Sequence, residues 1–363
     1  MDNSQVNGVH FVGSVPVPTE EDCYRILCNA LPSRLKRIPD GEPGQRGNFA
    51  GWQMNVFKHE PRVINQQFRP NAPNDFSIEE ANDIVKAFVN METRYDDYAL
   101  ESYAKFKKLK AEGVVPPHVR FQVCLPTPLT VVYLLVHTQL TSRIEPEYEK
   151  AMLRTLERIQ DKIPHEELSI QWDAPLEMGM LEQANFYGNR EIKPWFEPVF
   201  DGIVDSMKRM VDAVEEDVEV GIHLCYGKVD CALIRRSFTN GVGDLGHAHF
   251  MEPKSTLTMI TLVNAIFDRC QRRVDYLHLP VPKARTDEQY FSAIEQLKLG
   301  DTELILGLVH YDDLDGTKAR IAAASKYVTS FAVATECGLG RTPLEQLDNI
   351  FSILSAVSTP TAP

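Results

Sequence analysis

Two short segments carry the residue types best suited to chemistry. Val220-Gly-Ile-His223-Leu-Cys225-Tyr sets an imidazole and a thiol two residues apart at the end of an apolar run. Phe331-Ala-Val-Ala-Thr-Glu-Cys337-Gly sets a second thiol at the end of another. Residues two apart in an extended chain share a face, so His223 and Cys225 can reach one ion together. An imidazole and two thiolates form the soft nitrogen and sulfur donor set that zinc prefers. Three protein ligands with an exchangeable fourth position make a catalytic arrangement rather than a structural one. Cys23, Cys28, Cys124, Cys231 and Cys270 fit no ligand spacing and read as small hydrophobes.

The elements that must position these groups alternate in type. Strand-like runs occur at His10–Gly13, Arg120–Leu125, Leu168–Asp173, Val218–Leu224, Val274–Leu279, Glu303–Val309 and Ser330–Ala334, with a shorter one near Arg37–Pro39. Helical patterns lie between them at Ile78–Glu112, Glu145–Lys162, Trp195–Glu215, Ser255–Cys270, Asp287–Lys298, Asp315–Lys326 and Leu344–Leu354. Such alternation over 363 residues predicts a parallel sheet and a single-domain (β/α)8 TIM barrel, with extended loops at its C-terminal face. A doubly wound sheet is the alternative, but no Gly-x-Gly-x-x-Gly turn follows the first strand. The strands end in Gly13-Ser14, Pro126-Thr-Pro128, Asp173-Ala-Pro175, His223-Leu-Cys225, His278-Leu-Pro280, His310-Tyr-Asp312 and Glu336-Cys337. In a barrel these ends converge on one rim, where active sites are built. The barrel is expected to span residues 1–357, with a disordered tail over 358–363.

Composition narrows the partners. A formal charge of −13 argues against nucleic acid and anionic membrane, both of which require basic patches. No apolar run approaches the ~20 residues that span a bilayer. Met1–Gln5 carries no basic flank or apolar core of a secretory signal, and the seven cysteines are scattered. Both features favour a cytoplasmic, reducing location. A homo-oligomer stays open.

Taken in order, the strand ends resemble the catalytic barrel of cobalamin-independent methionine synthase, within the wider group that includes uroporphyrinogen decarboxylase. His223-Leu-Cys225-Tyr resembles that family's His-x-Cys-Tyr zinc segment, and Cys337-Gly-Leu its last zinc ligand. Asp40-Gly-Glu42 and Gln171-Trp-Asp173-Ala-Pro resemble the segments whose carboxylates hold a substrate ammonium. Leu308-Val-His310 resembles the segment of the proposed proton shuttle, and Phe11-Val-Gly-Ser14 the opening Gly-Ser strand. The resemblance implies zinc as cofactor, a small-molecule thiol and an alkyl donor as substrates, and a methyl-folate as a candidate co-substrate. It implies substrate contacts from Glu42, Asp173 and Ser14 and acid catalysis by His310.

Two departures stand out. The family's remaining zinc ligand is a Glu on the strand after His-x-Cys, and here that strand reads Tyr276-Leu-His278-Leu-Pro280. His278 is one replacement; His249 or Glu252 in the following loop, and an open position, are others. The family's Asp-Glu-Pro is also Asp-Ala-Pro here. The reading is a zinc-dependent transferase that moves a methyl or small alkyl group to or from a thiol. The alternatives are a zinc-dependent lyase or demethylase acting on a specialised metabolite, and a non-catalytic barrel that binds a small molecule. Arg46 and Arg341 are candidate anion ligands, His247 a further candidate in the loop, and Trp52 and Trp172 candidate pocket walls.

Overall fold

Eight runs rich in β-branched and aliphatic residues build the main sheet, apart from a short antiparallel pair at Asn185–Phe186 and Arg190–Glu191. They are β1 (Val6–Val9), β2 (Arg37–Pro39), β3 (Arg120–Pro126), β4 (Leu168–Ala174), β5 (Glu219–Leu224), β6 (Tyr276–Pro280), β7 (Glu303–Val309) and β8 (Phe331–Thr335). The computed structural model describes residues 6–69, 75–186, 190–226 and 251–361. The strands form one sheet in the order β1-β8-β7-β6-β5-β4-β3-β2, and every neighbouring pair is parallel. A parallel bridge between Val9 and Leu35 brings the two edges together, and Val9 N–H donates to the Arg34 carbonyl at 2.8 Å. This is the expected TIM-like α/β barrel in a single domain.

Helices separate the strands, as parallel pairing requires. Several start where a strand stops. Thr127 caps the helix Pro128–Leu135 by accepting the Thr130 N–H, and Pro175 opens the helix Pro175–Leu181. Proline fits this first position because its missing N–H would be unpaired there anyway. The single helix expected over Ile78–Glu112 is two, Ile78–Lys86 and Tyr95–Ala111. Asn90 and Arg94, both at φ +66°, break it in the left-handed region. The expected Asp287–Lys298 helix shrinks to Glu288–Phe291 and a 3-10 stretch over Ser292–Gln296. The first strand lies at Val6–Val9, just ahead of the expected His10–Gly13.

The tail differs from expectation. Thr359 pairs with Asn7, its carbonyl accepts from Gly8, and Thr361 N–H donates to the Ser33 carbonyl. These bonds use backbone groups of β1 and of the turn before β2, so Ser358–Thr361 is anchored rather than frayed, while 362–363 lie outside the described residues.

Apolar side chains fill the layer between strands and helices. The barrel interior is more polar. It holds a small apolar cluster of Tyr276, Ile305, Ala332 and Ala334, alongside the buried Arg37, His10, Gln122, Gln171 and His278. Arg37 donates twice to Glu219, at 2.9 and 2.8 Å, and once to Glu303 at 2.9 Å, and its guanidinium lies 4.0 Å over the Tyr276 ring. Gly221 makes room for that ring, since a Cβ there would fall 2.1 Å from it.

Glu177 ties two strand ends together. It is 1% exposed and accepts from Thr127 Oγ1 at 2.5 Å and Thr130 Oγ1 at 3.3 Å. Burial pushes its carboxyl up to about 7, against the pull of those hydrogen bonds. A folded-state value above the unfolded 4.5 means that its contribution is full below that pH and lost as pH rises through about 7. The loss approaches about 3 kcal/mol for a buried carboxyl shifted this far. Glu177→Gln is expected to flatten the decline and to be the more stable form above neutrality. Denaturant titrations on either side of neutral pH measure this; parallel pH profiles for both proteins would refute it.

Candidate functional site

The register of the central strands builds the site. Asp173 of β4 stands beside His223 of β5, and His223 beside His278 of β6. Cys225 follows His223 by two residues and therefore shares its face. Beyond β8 the chain turns through Glu336 and brings Cys337 to Cys225, with the two sulfurs 3.5 Å apart. Ligand atoms of His223, Cys225 and Cys337 all lie within 4.8 Å of one another. No other His, Cys, Asp or Glu joins this group among the described residues.

The three side chains fit a zinc ion. Their sulfur separation is far beyond the ~2.05 Å of a disulfide and near the roughly 3.8 Å between two thiolates on tetrahedral zinc. Neither cysteine is in a disulfide. His223 is 2% exposed, and its Nε2 has no hydrogen-bond partner. A buried polar atom left unpaired costs about 1–3 kcal/mol, which a bound cation would relieve. The Cys225 contact, followed by His223, holds the Cys337 thiol well below its usual range, against desolvation by burial. That favours the thiolate, which is the ligating form.

His278 is placed differently from its expected role. Its Nδ1 lies 2.7 Å from His223 Nδ1 and its Nε2 3.1 Å from the Thr335 carbonyl, so both ring nitrogens are engaged away from the thiols. It sits behind His223 instead of beside it as a ligand. Glu252 is exposed and lies outside the three-residue group. His247 and His249 lie outside the described residues.

Two carboxyls share the rim with this cluster. Burial, then the Glu42 carboxyl, pushes Asp173 well above the usual carboxylate range, although Gln171 donates to Asp173 Oδ1 at 2.8 Å. Desolvation and Asp40 raise Glu42 to about 8, with Cys337 adding to the effect and Arg46 opposing it. Glu42 owes its position to a left-handed turn, Gly41 at φ +81° and Glu42 at φ +53°. A Cβ on Gly41 would meet Cys23 Sγ at 2.8 Å, so only glycine fits there. Asp40 organises this turn by accepting from the Glu42 N–H, Arg46 and Ser102. Arg46 is thereby committed to Asp40 and Glu20. Trp52, Tyr95 and Tyr98 line the adjoining pocket with Glu42 and Cys124. Trp172 is fully buried.

Ser14 moors the cysteine loop. Its carbonyl accepts the Leu339 N–H at 2.7 Å and its hydroxyl the Gly340 N–H at 3.2 Å. A Cβ on Gly338 would fall 2.6 Å from Ser14 Oγ, so the loop can pack this closely only through glycine.

His310 places Nε2 2.9 Å from the Val281 carbonyl and Nδ1 4.0 Å from Glu336 Oε2. Burial, then Arg320, pushes it down to about 3. It is thus an uncharged imidazole at neutral pH, where acid catalysis would call for a protonated one. Gln171 and Glu336 are site residues to which the sequence reading assigns no role of their own. The available signal was a polar side chain within or directly after an apolar strand.

Seventeen chains among solved structures are similar to this one, including the two that follow. A B12-independent methionine synthase from Shewanella sp. W3-18-1, solved with selenomethionine, shares 15% identity at a TM-score of 0.47, covering 72% of this chain and 65% of that one. A putative vitamin-B12 independent methionine synthase from Listeria monocytogenes shares 14% identity at a TM-score of 0.47, covering 93% of this chain and 86% of that one. The chain therefore spans less than two thirds of the Shewanella protein. No protein-family model and no curated protein match the sequence.

Proposed function

We propose that this chain is a zinc-dependent enzyme that activates a small thiol for transfer of a methyl or other small alkyl group. The observation that carries this reading is the His223, Cys225 and Cys337 cluster, with its unpaired buried Nε2, set on the same rim as Glu42 and Asp173. Zinc held by these three residues would supply a Lewis acid that lets a bound substrate thiol lose its proton near neutral pH.

The chain's own residues do the rest. Burial raises the proton affinity of both carboxyls, with Asp40 adding to it at Glu42 and Glu42 at Asp173, so together they accept a cation more readily than they hold two bare charges. A substrate ammonium placed between them lets both ionise and fixes the thiol's orientation. Gln171 steadies Asp173 from below, and Ser14 fixes the loop that carries Cys337. His310, uncharged and held at Nε2 by the Val281 carbonyl, is not the proton donor in this reading.

The test is metal content of the purified protein, followed by cobalt substitution. We expect about one zinc per chain, and a change in the visible cobalt spectrum when an amino thiol is added. An amino alcohol of the same length should leave the spectrum unchanged. No metal uptake, or a spectrum indifferent to thiols, would overturn the reading and leave a barrel that binds its ligand without this chemistry.

A further inference from the structure

We infer that His278 is a positioning residue that decides which ring nitrogen of His223 carries the proton, and thereby leaves His223 Nε2 as a bare lone pair for a metal. Its purpose rests on the metal role proposed above; its geometry does not.

The argument follows the hydrogen bonds. The Thr335 carbonyl can only accept, so His278 Nε2, 3.1 Å away, must carry a hydrogen. The two Nδ1 atoms of His278 and His223 are 2.7 Å apart, so one donates and the other accepts. If His278 donated, it would carry hydrogens on both nitrogens and be a cation, fully buried. His223 would then hold its own hydrogen on Nε2, which is buried and has no hydrogen-bond partner. That arrangement places an isolated charge on a fully buried ring, which is costly. In the remaining arrangement His278 is neutral, and His223 is neutral too in the form that can bind a metal. His278 accepts at Nδ1, His223 donates from Nδ1, and His223 Nε2 keeps its lone pair.

The register makes the relay possible. His223 and His278 are direct partners on β5 and β6, with ring centroids 4.7 Å apart. Gly307 leaves room on the far side, where a Cβ would meet His278 Nε2 at 3.2 Å and Glu336 Cα at 2.8 Å. The departure noted at this strand is therefore a change of layer. The side chain that replaces the expected ligand supports a ligand from behind, as outer partners of metal-bound histidines do.

The experiment reads the proton directly. Apoprotein labelled with 15N-histidine gives long-range 1H–15N correlations that distinguish the two neutral tautomers, and His223→Gln identifies the His223 signals. We expect the Nδ1–H form, whereas free imidazole side chains in water favour Nε2–H. In parallel, zinc affinity is measured by chelator competition for wild type, His278→Phe and His278→Asn, with circular dichroism to establish folding. His278→Phe is expected to weaken zinc binding 10–100-fold. His278→Asn, whose side-chain oxygen can take the place of Nδ1, should recover most of that loss.

An Nε2–H signal for His223 in the apoprotein would overturn the inference, even if zinc binds normally. Unchanged zinc affinity in folded His278→Phe would overturn it as well. If His278→Phe does not fold, the tautomer alone decides. An Nδ1–H signal in a protein that takes up no zinc would uphold the relay and sink the metal reading instead.

Discussion

Cys225→Ser and Cys337→Ser are each expected to lose zinc on dialysis against a mild chelator while the barrel stays folded. Removing an outer partner of a metal ligand costs 10–100-fold in affinity. Removing a ligand itself should cost more, so we expect a loss of at least about 100-fold for either variant. The two sulfurs stand 3.5 Å apart, so neither can substitute for the other once it is gone. Both lie just past strand ends instead of inside the apolar layer, and serine is close to cysteine in size, so the thermal midpoint should move little. Binding should also weaken with acid, because each thiol must give up its proton to ligate. Elemental analysis of the single and double variants is the measurement. Full zinc occupancy in the double variant would remove the metal site from these residues.

The second large effect lies at the other end of the barrel. Arg37→Ala should lower unfolding stability by about 3–5 kcal/mol, the range for stripping one partner from a buried ionic group. Arg37 is 3% exposed and neutralises Glu219 and Glu303 together while covering the Tyr276 ring. Burial alone would raise the Glu219 carboxyl, but Arg37's charge and hydrogen bonds outweigh burial and hold it below its usual range. Without Arg37 both carboxylates remain in the barrel, with Lys36 left as a partner of Glu303. Stability of the variant should therefore improve as pH falls and Glu219 takes up a proton. Glu219→Gln and Glu303→Gln added to Arg37→Met should recover most of the loss, because only the half-exposed Lys36 then lacks its partner. Arg37→Lys should recover only part, since an ammonium cannot make the paired contacts to Glu219. A denaturation midpoint unchanged by Arg37→Ala would show that the network contributes specificity rather than stability.

Much of this was legible in the residues. Alternating apolar strands and amphipathic helices imply a parallel sheet, because each strand must be covered on its outer face before the next begins. His223-Leu-Cys225 implies a shared face through the two-residue period of a strand, and that relation holds in any fold that keeps the strand. The polar strand ends implied a rim, and the barrel brings His223, Cys225 and Cys337 together there.

Other features depend on distances between strands, which no local pattern encodes. The sequence offers His278 as a histidine on the next strand, without saying whether it stands beside His223 or behind it. Register and the Thr335 carbonyl decide that, by engaging both of its nitrogens. Ser14 looked like a substrate contact; the turn after Cys337 packs onto it through Gly338 and Gly340 and uses its hydroxyl. His310 looked like an acid, but desolvation, a property of the packed environment, leaves it uncharged. Residue type and spacing thus determined by themselves which groups could act and which faces they share. Tertiary packing alone decided which of those groups keep a free lone pair, a proton or a charge, because burial and hydrogen-bond partners come from strands remote in the chain.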